Sequence, residues 1–348
     1  MSAITSPPLS ARDQATASAS TPDTGPYRWL GWLLAVVAVF TVVTAVRSHQ
    51  VDIPFRDPGG RIFLSRIALS LALLIVLSLL DAAMRVGRRN WTVRNTAAML
   101  QSRWPADRVL VAVGGLLTYH FAYACYRNLK SWVAFNGGHD DRLLSLDRNL
   151  FFGHSPAVLL HDLFGRQVAP HVIGVIYESF SVIVPISFVA ALVFADRIRD
   201  GFVFLSSAIW VWILGVASYY LIPTLGPFAS APKEFAGLDP TSITATQAKY
   251  MAERAQLLDH PAAADSFASI SAFVSLHVGF TFMILLMLRY YGFTWAVRVM
   301  YVYLLAVMVS TVYLGWHFVI DIPGGLLVAY LAVRLGRLTT YPHGRGSP

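Results

Sequence analysis

Residues 309–325 read Val-Ser-Thr-Val-Tyr-Leu-Gly-Trp-His-Phe-Val-Ile-Asp-Ile-Pro-Gly-Gly, inside an apolar run from Val299 to Val333 whose only carboxylate or imidazole groups are His317 and Asp321. About 20 apolar residues cross a hydrocarbon core, so this run is long enough for two short spans joined by a tight turn. Its reading decides the fold class: membrane helices, with a histidine and an acid at the join. An ionisable group at membrane depth costs roughly 2.5 to 3.5 kcal/mol on insertion scales and needs a partner and a purpose. His317 and Asp321 are four apart, a spacing that puts both on one helix face if the chain stays helical there. The carboxylate then holds one ring nitrogen and leaves the other for a substrate.

The rest of the chain agrees with a membrane bundle. Of 348 residues, 56% are hydrophobic and 13% charged, against roughly 25% charged in soluble domains. Eight spans are expected, at about 29–46, 64–84, 109–126, 172–195, 202–222, 270–288, 299–317 and 320–336. The expected fold is therefore all-α, a polytopic membrane helical bundle. Residues 1–28, rich in Ser, Thr, Ala and Pro, read as a disordered tail without the pattern of a cleavable signal. Residues 29–108 hold two spans and a basic loop, 109–338 the main membrane domain, and 339–348 a second tail. The net charge of +8 comes from arginines in loops and shows no nucleic-acid motif, so it reads as topology. Arg85, Arg88, Arg89, Arg94, Arg103 and Arg108 make the densest basic loop, which the positive-inside rule assigns to the cytoplasm of a cell membrane, with both termini. Residues 127–171, 223–269 and 317–320 then face the extracytoplasmic side.

The two long connections are expected to hide short helices. Leu143 to Phe152 reads as an interfacial helix broken by Gly153 and Pro156, and Thr241 to Leu258 as a polar helix flanked by prolines. The single cysteine, Cys125, sits in an apolar run and excludes intrachain disulfides and thiolate metal sites. His120 reads as a packing histidine, Tyr177 and Glu178 either as cavity-lining groups or, for the Glu, as a group near a membrane interface bonded to a neighbouring helix, and Trp29, Tyr290, Tyr291 and Trp295 as the aromatic belt.

Under this topology His277, in Val274-Ser275-Leu276-His277, falls near the same face as His317 and Asp321. Taken together, these segments resemble the type 2 phosphatidic acid phosphatase superfamily. Ser310-Thr311, five residues, His317, three residues, Asp321 is similar to its third signature, Ser-Arg-x5-His-x3-Asp, and Val274 to His277 to its second, Pro-Ser-Gly-His. The Ser-Leu-His and Thr-x-Tyr-Leu-Gly-x-His forms, with Tyr220-Leu221-Ile222-Pro223-Thr224-Leu225-Gly226-Pro227, look most like the inositol phosphorylceramide synthase branch. The resemblance covers about 215–336 firmly and 119–214 more weakly.

The resemblance implies a core of about six helices and attack on phosphorus by His317, giving a phosphohistidine. It implies Asp321 as the group that orients His317, His277 as the acid for the leaving oxygen, and Ser275 with nearby amides as a phosphate cradle. No metal or other cofactor is implied. Lys-x6-Arg-Pro, the first signature, is absent, and Arg127 and Lys130 are its nearest substitutes. Thr311 stands where the third signature has Arg, and Arg148 or Arg142 is the expected replacement. The implied partners are a lipid phosphate, a polyol acceptor and the surrounding membrane lipids. The implied activity is phosphatase or phosphotransferase chemistry at the outer leaflet, inositolphosphotransferase-like. Two other readings stand beside it: a haem protein with axial histidines, and a non-catalytic lipid-binding or transport protein in which the histidines only line a pathway.

Overall fold

The computed structural model describes residues 27–344, and the expected tail over 1–28 lies outside them except for Tyr27 and Arg28. Fourteen α-helices and no strand occur among the described residues. Eight run through the bundle: α1 (Leu30–Val51), α2 (Leu64–Val86), α4 (Ala106–Trp132), α7 (Ala169–Phe194), α8 (Ile198–Leu221), α12 (Leu276–Tyr290), α13 (Thr294–Tyr313) and α14 (Asp321–Thr340). Seven are long and apolar enough to cross a membrane, and α12, with 15 residues, is the short one. Between them lie α3 (Val93–Arg103), α5 (Asp140–Leu150), α6 (Pro156–Phe164), α9 (Pro227–Ser230), α10 (Pro232–Phe235) and α11 (Ser242–Asp259).

Helix α8 is the most enclosed span, packed against α14, α4, α7 and α12, whereas α1 and α2 expose most of their apolar surface, as lipid-facing helices do. Helices α12 and α14 approach closely because both carry glycine at the crossing. A Cβ on Gly325 would overlap the Ser275 carbonyl, and one on Gly279 would sit 3.2 Å from the Gly325 carbonyl. At the end opposite His317, the basic loop folds down through ions: Asp81 of α2 meets Arg85 at 2.8 Å and Arg103 at 3.3 Å, and both arginines also reach Asp196.

The sixth span differs from its expected bounds. Hydropathy alone runs a helix from 270, but residues 266–275 are non-helical and, apart from the half-buried Phe273, buried, and the helix starts only at Leu276. Non-helical backbone at this depth must find its partners inside the protein. Here hydroxyl groups and one carbonyl supply them: the Ala268 N–H donates to Ser131 Oγ (2.9 Å), Ala272 to the Thr224 carbonyl (2.8 Å), Phe273 to Thr224 Oγ1 (3.0 Å) and Val274 to Ser218 Oγ (3.3 Å). The expected helix in the second long connection forms as α11. Thr241 caps it in a reciprocal box with Thr244, satisfying amides at its start.

Candidate functional site

The turn that carries His317 is residues 314–320, where the helix breaks between α13 and α14. The last carbonyls of α13, orphaned by the break, are taken up by side chains from other elements. His161 of α6 bonds the Tyr313 carbonyl at 2.8 Å, and Gln247 of α11 donates to that of Leu314 at 2.7 Å. Gly315, at φ +73°, reverses the chain, and the Trp316 and His317 N–H groups both return to the Thr311 carbonyl. Gly226, at φ +104°, lies so close to the Trp316 carbonyl that a Cβ there would stand 2.6 Å from it. The Tyr220–Pro227 segment thus forms the seat of this turn.

Although the helix is broken, the pair meets. His317 Nδ1 lies 3.1 Å from Asp321 Oδ2, which also accepts the Phe318 N–H at 3.1 Å. Asp321 is wholly buried, and its Oδ1 has no partner among the described residues. With Nδ1–H fixed on the carboxylate, Nε2 carries the lone pair.

His317 and His277 line one cavity of about 270 Å³, together with Arg127, Lys130, Ser269 and Ser271. The two histidine rings are 6.3 Å apart between centroids. His277 is clamped between Tyr177, stacked at 4.1 Å, and Phe180 at 4.3 Å, so its ring plane is set by packing. Arg127 donates to Ser269 Oγ at 3.0 Å and to Tyr123 Oη at 3.3 Å, leaving its Nε unpartnered. Lys130 lies over the Tyr219 ring at 5.4 Å. Among the described residues, neither cation has a carboxylate within ion-pair distance. Two uncompensated cations in an aromatic cavity are costly unless an anion joins them.

Four of the expected site residues, His317, His277, Arg127 and Lys130, therefore share this cavity, with Asp321 behind it. Ser275 and Arg148 do not line it. Ser275 is wholly buried as the N-cap of α12: its Oγ accepts the Val278 N–H, and its own N–H donates to the Asp321 carbonyl. It joins the two signature segments instead of cradling phosphate. Arg148 is turned away by charge, since it pairs with Glu234 at 2.7 Å, and Glu234 also accepts from Ser155. Arg142 is exposed on α5 and lies outside the lining too. Thr311 is buried, contributing its carbonyl to the turn while its hydroxyl bonds the Met308 carbonyl. His120 packs as expected, 2.7 Å from Ser70 Oγ. Glu178 does reach the cavity, at an exposed position where it accepts from Ser242 Oγ at 2.7 Å.

Several lining groups carried no sequence signal: Ser269, Ser271, Trp316 and the phenols of Tyr123, Tyr126 and Tyr250. Ser271 Oγ and Trp316 Nε1, on residues 8% and 7% exposed, have no partner among the described residues. A larger cavity of about 510 Å³ lies elsewhere, between α1 and α4. Thr41, Thr44, Phe55, Phe121 and Cys125 give it a mainly apolar wall without a cluster of cations.

The family described as the PAP2 superfamily matches residues 141–335. That is more than half of the chain, and the chain belongs to this superfamily: it is a multi-pass membrane protein of the phosphatase type. The match begins within α5 and ends within α14, so it contains both histidines and Asp321, whereas Arg127 and Lys130 come from α4, before it. No curated protein and no solved structure matches the chain.

Proposed function

We propose that this chain removes or transfers the phosphate of a membrane lipid through a covalent phosphohistidine on His317. The observation that supports it best is the cavity's charge: two histidines and two cations without a paired carboxylate converge on a space large enough for a phosphoryl group. His317 Nε2 attacks phosphorus as the bond to the lipid oxygen breaks, and protonated His277 gives its proton to that oxygen. Asp321 stabilises the positive charge that develops on the His317 ring, while Arg127 and Lys130 neutralise the equatorial oxygens. An incoming water or alcohol then gives its proton to His277, its oxygen bonds to phosphorus, and the P–N bond breaks.

Transfer to a polyol is the finer reading. It rests on the Ser275-Leu276-His277 and Tyr313-Leu314-Gly315 forms of the signatures, and on the unpartnered Ser271 hydroxyl and Trp316 indole N–H, which suit a hydroxyl-rich acceptor. The positive-inside rule sets the arginine-rich loop in the cytoplasm and this cavity, at the opposite end of the bundle, toward the outer leaflet. The test is phosphate release from a panel of lipid phosphates in detergent, with and without myo-inositol, comparing wild type with His317→Ala. Loss of free phosphate in the variant marks a phosphatase, and inositol phosphate formed by wild type but not by the variant marks a transferase. Equal behaviour of the two proteins on every substrate overturns the reading.

A further inference from the structure

None of the residues of α5 lines the cavity, yet two of them reach the loops that build it. Asp140 and Asp147 are two helical turns apart and so share one face with buried Leu143. Asp140 Oδ1 accepts the N–H groups of Leu225 and Gly226 at 2.8 and 2.9 Å, fixing the segment on which the catalytic turn sits. Asp147 accepts from the turn itself, Oδ2 from Val319 N–H at 2.8 Å and Oδ1 from Ile320 N–H at 3.4 Å. Together with the Phe318 N–H on Asp321, three successive amides just beyond His317 are held by two carboxylates from opposite sides.

Asp147 is only 3% exposed. If these amides needed only to be satisfied, a neutral acceptor would do so at a smaller desolvation cost. What the carboxylate adds is a two-point grip in charge-assisted bonds, which fixes the orientation of the turn as well as its place. The grip also comes from a helix whose other side faces out of the bundle, so it ties the turn to a body independent of α13 and α14.

The geometry points to Asp147 as a positioning residue for His317: its carboxylate holds the 314–320 turn so that Nε2 stays presented to the cavity while Asp321 holds Nδ1. This rests on the reading of His317 as the nucleophile. Misplacing a reacting group by about 1 Å costs on the order of 100-fold in rate. Asp147→Asn keeps one acceptor but turns an amide NH₂ toward the second N–H, so the turn is released on one side.

The experiment compares full-length wild type, Asp147→Asn, Asp147→Ala and, as a control on an exposed carboxylate of the same helix, Asp141→Asn, all purified in detergent. Two readouts are taken: kcat and KM for phosphate release from dioctanoyl phosphatidate, and hydrogen exchange of the peptide covering 314–322. Both Asp147 variants should exchange faster in that peptide and lose kcat by about 100-fold with KM changed by less than about threefold, while Asp141→Asn matches wild type. Faster exchange spread over the whole chain means general destabilisation and overturns the assignment, as does an unchanged kcat in Asp147→Ala. If wild type itself releases no phosphate from any lipid phosphate, the phosphatase reading fails instead. The grip on the turn is then judged by exchange alone, and unchanged exchange of 314–322 in Asp147→Ala refutes it.

Discussion

Replacing Asp321 by asparagine separates the charge of this carboxylate from its hydrogen bonds. Oδ2 accepts from both His317 Nδ1 and Phe318 N–H, and Oδ1 faces no partner. An amide can therefore keep both bonds through its oxygen and put its NH₂ in the unpartnered position. The tautomer of His317 survives, and the charge is lost. With 3.1 Å between the bonded atoms, the two charge centres are some 4 to 5 Å apart. At an effective dielectric of about 20 their attraction is about 3 to 4 kcal/mol. That stabilisation is present when the imidazole becomes cationic on attacking phosphorus and absent in the neutral ground state. At 1.36 kcal/mol per decade, Asp321→Asn should lower kcat by about 10²- to 10³-fold, with KM within about threefold of wild type. Because the change removes a buried, half-satisfied charge, Tm should fall by no more than about 3 °C. The assay is phosphate release from dioctanoyl phosphatidate, with thermal unfolding of the same detergent samples. A variant that folds like wild type and keeps more than about a tenth of its kcat would falsify the electrostatic role of Asp321.

Other outcomes follow from the same geometry. His277→Ala should spare the p-nitrophenolate burst from p-nitrophenyl phosphate, whose leaving group needs little protonation, and slow phosphoryl transfer from an alkyl phosphate in a single turnover about 10²- to 10⁴-fold; equal losses on both would remove His277 from the acid role. Lys130→Met, which deletes a cation and little volume, should raise the inhibition constant of vanadate about tenfold or more, as expected for a lost charge-assisted contact; unchanged inhibition would place the anion elsewhere. Gly325→Ala drives a methyl group into the Ser275 carbonyl, and should cost about 1 to 3 kcal/mol by overpacking, read as a lowered Tm. Burial pushes the Asp147 carboxyl up to about 6, in spite of the two amides that favour its charged form. The folded protein then binds this proton more tightly than the unfolded chain, so stability falls as pH rises from about 4 to about 6 and levels off above that. Relative to Asp147→Asn, wild type should lose up to about 3 kcal/mol across that window, and parallel Tm profiles of the two proteins would refute the shift.

The parts of this molecule legible in its sequence are those written in local patterns. Apolar runs mark the spans, Thr241 and its following residues mark the start of α11, and the four-residue spacing of His317 and Asp321 marks the pair even though the helix breaks between them. What the sequence hid depends on partners far along the chain. The segment 266–275 is as apolar as a helix, and hydropathy does not distinguish the two. Its non-helical form is set by hydroxyls at Ser131, Ser218 and Thr224. Arg148 and Asp147 are neighbours on α5 and invite one shared role, but the first is claimed by Glu234, 86 positions away, and the second by Val319, 172 positions away. The helix expected from Leu143 begins at Asp140 instead, and nothing local showed that Asp140 and Asp147 would share a face or which amides that face would meet.

The same long-range partners sort the charges around the site. The half-buried Asp140 and the buried Asp147 and Asp321 turn toward backbone amides and the His317 ring, while Arg127 and Lys130 face the cavity. The one acid in the lining, Glu178, is exposed and engaged by Ser242. Had the acids paired with the cations, the bundle would gain internal ion pairs and lose its attraction for an anion. Because the acids instead hold the turn, the positive charge of the cavity is left to a ligand. On the proposed mechanism, the same assignment fixes the nucleophile and keeps its phosphate site open.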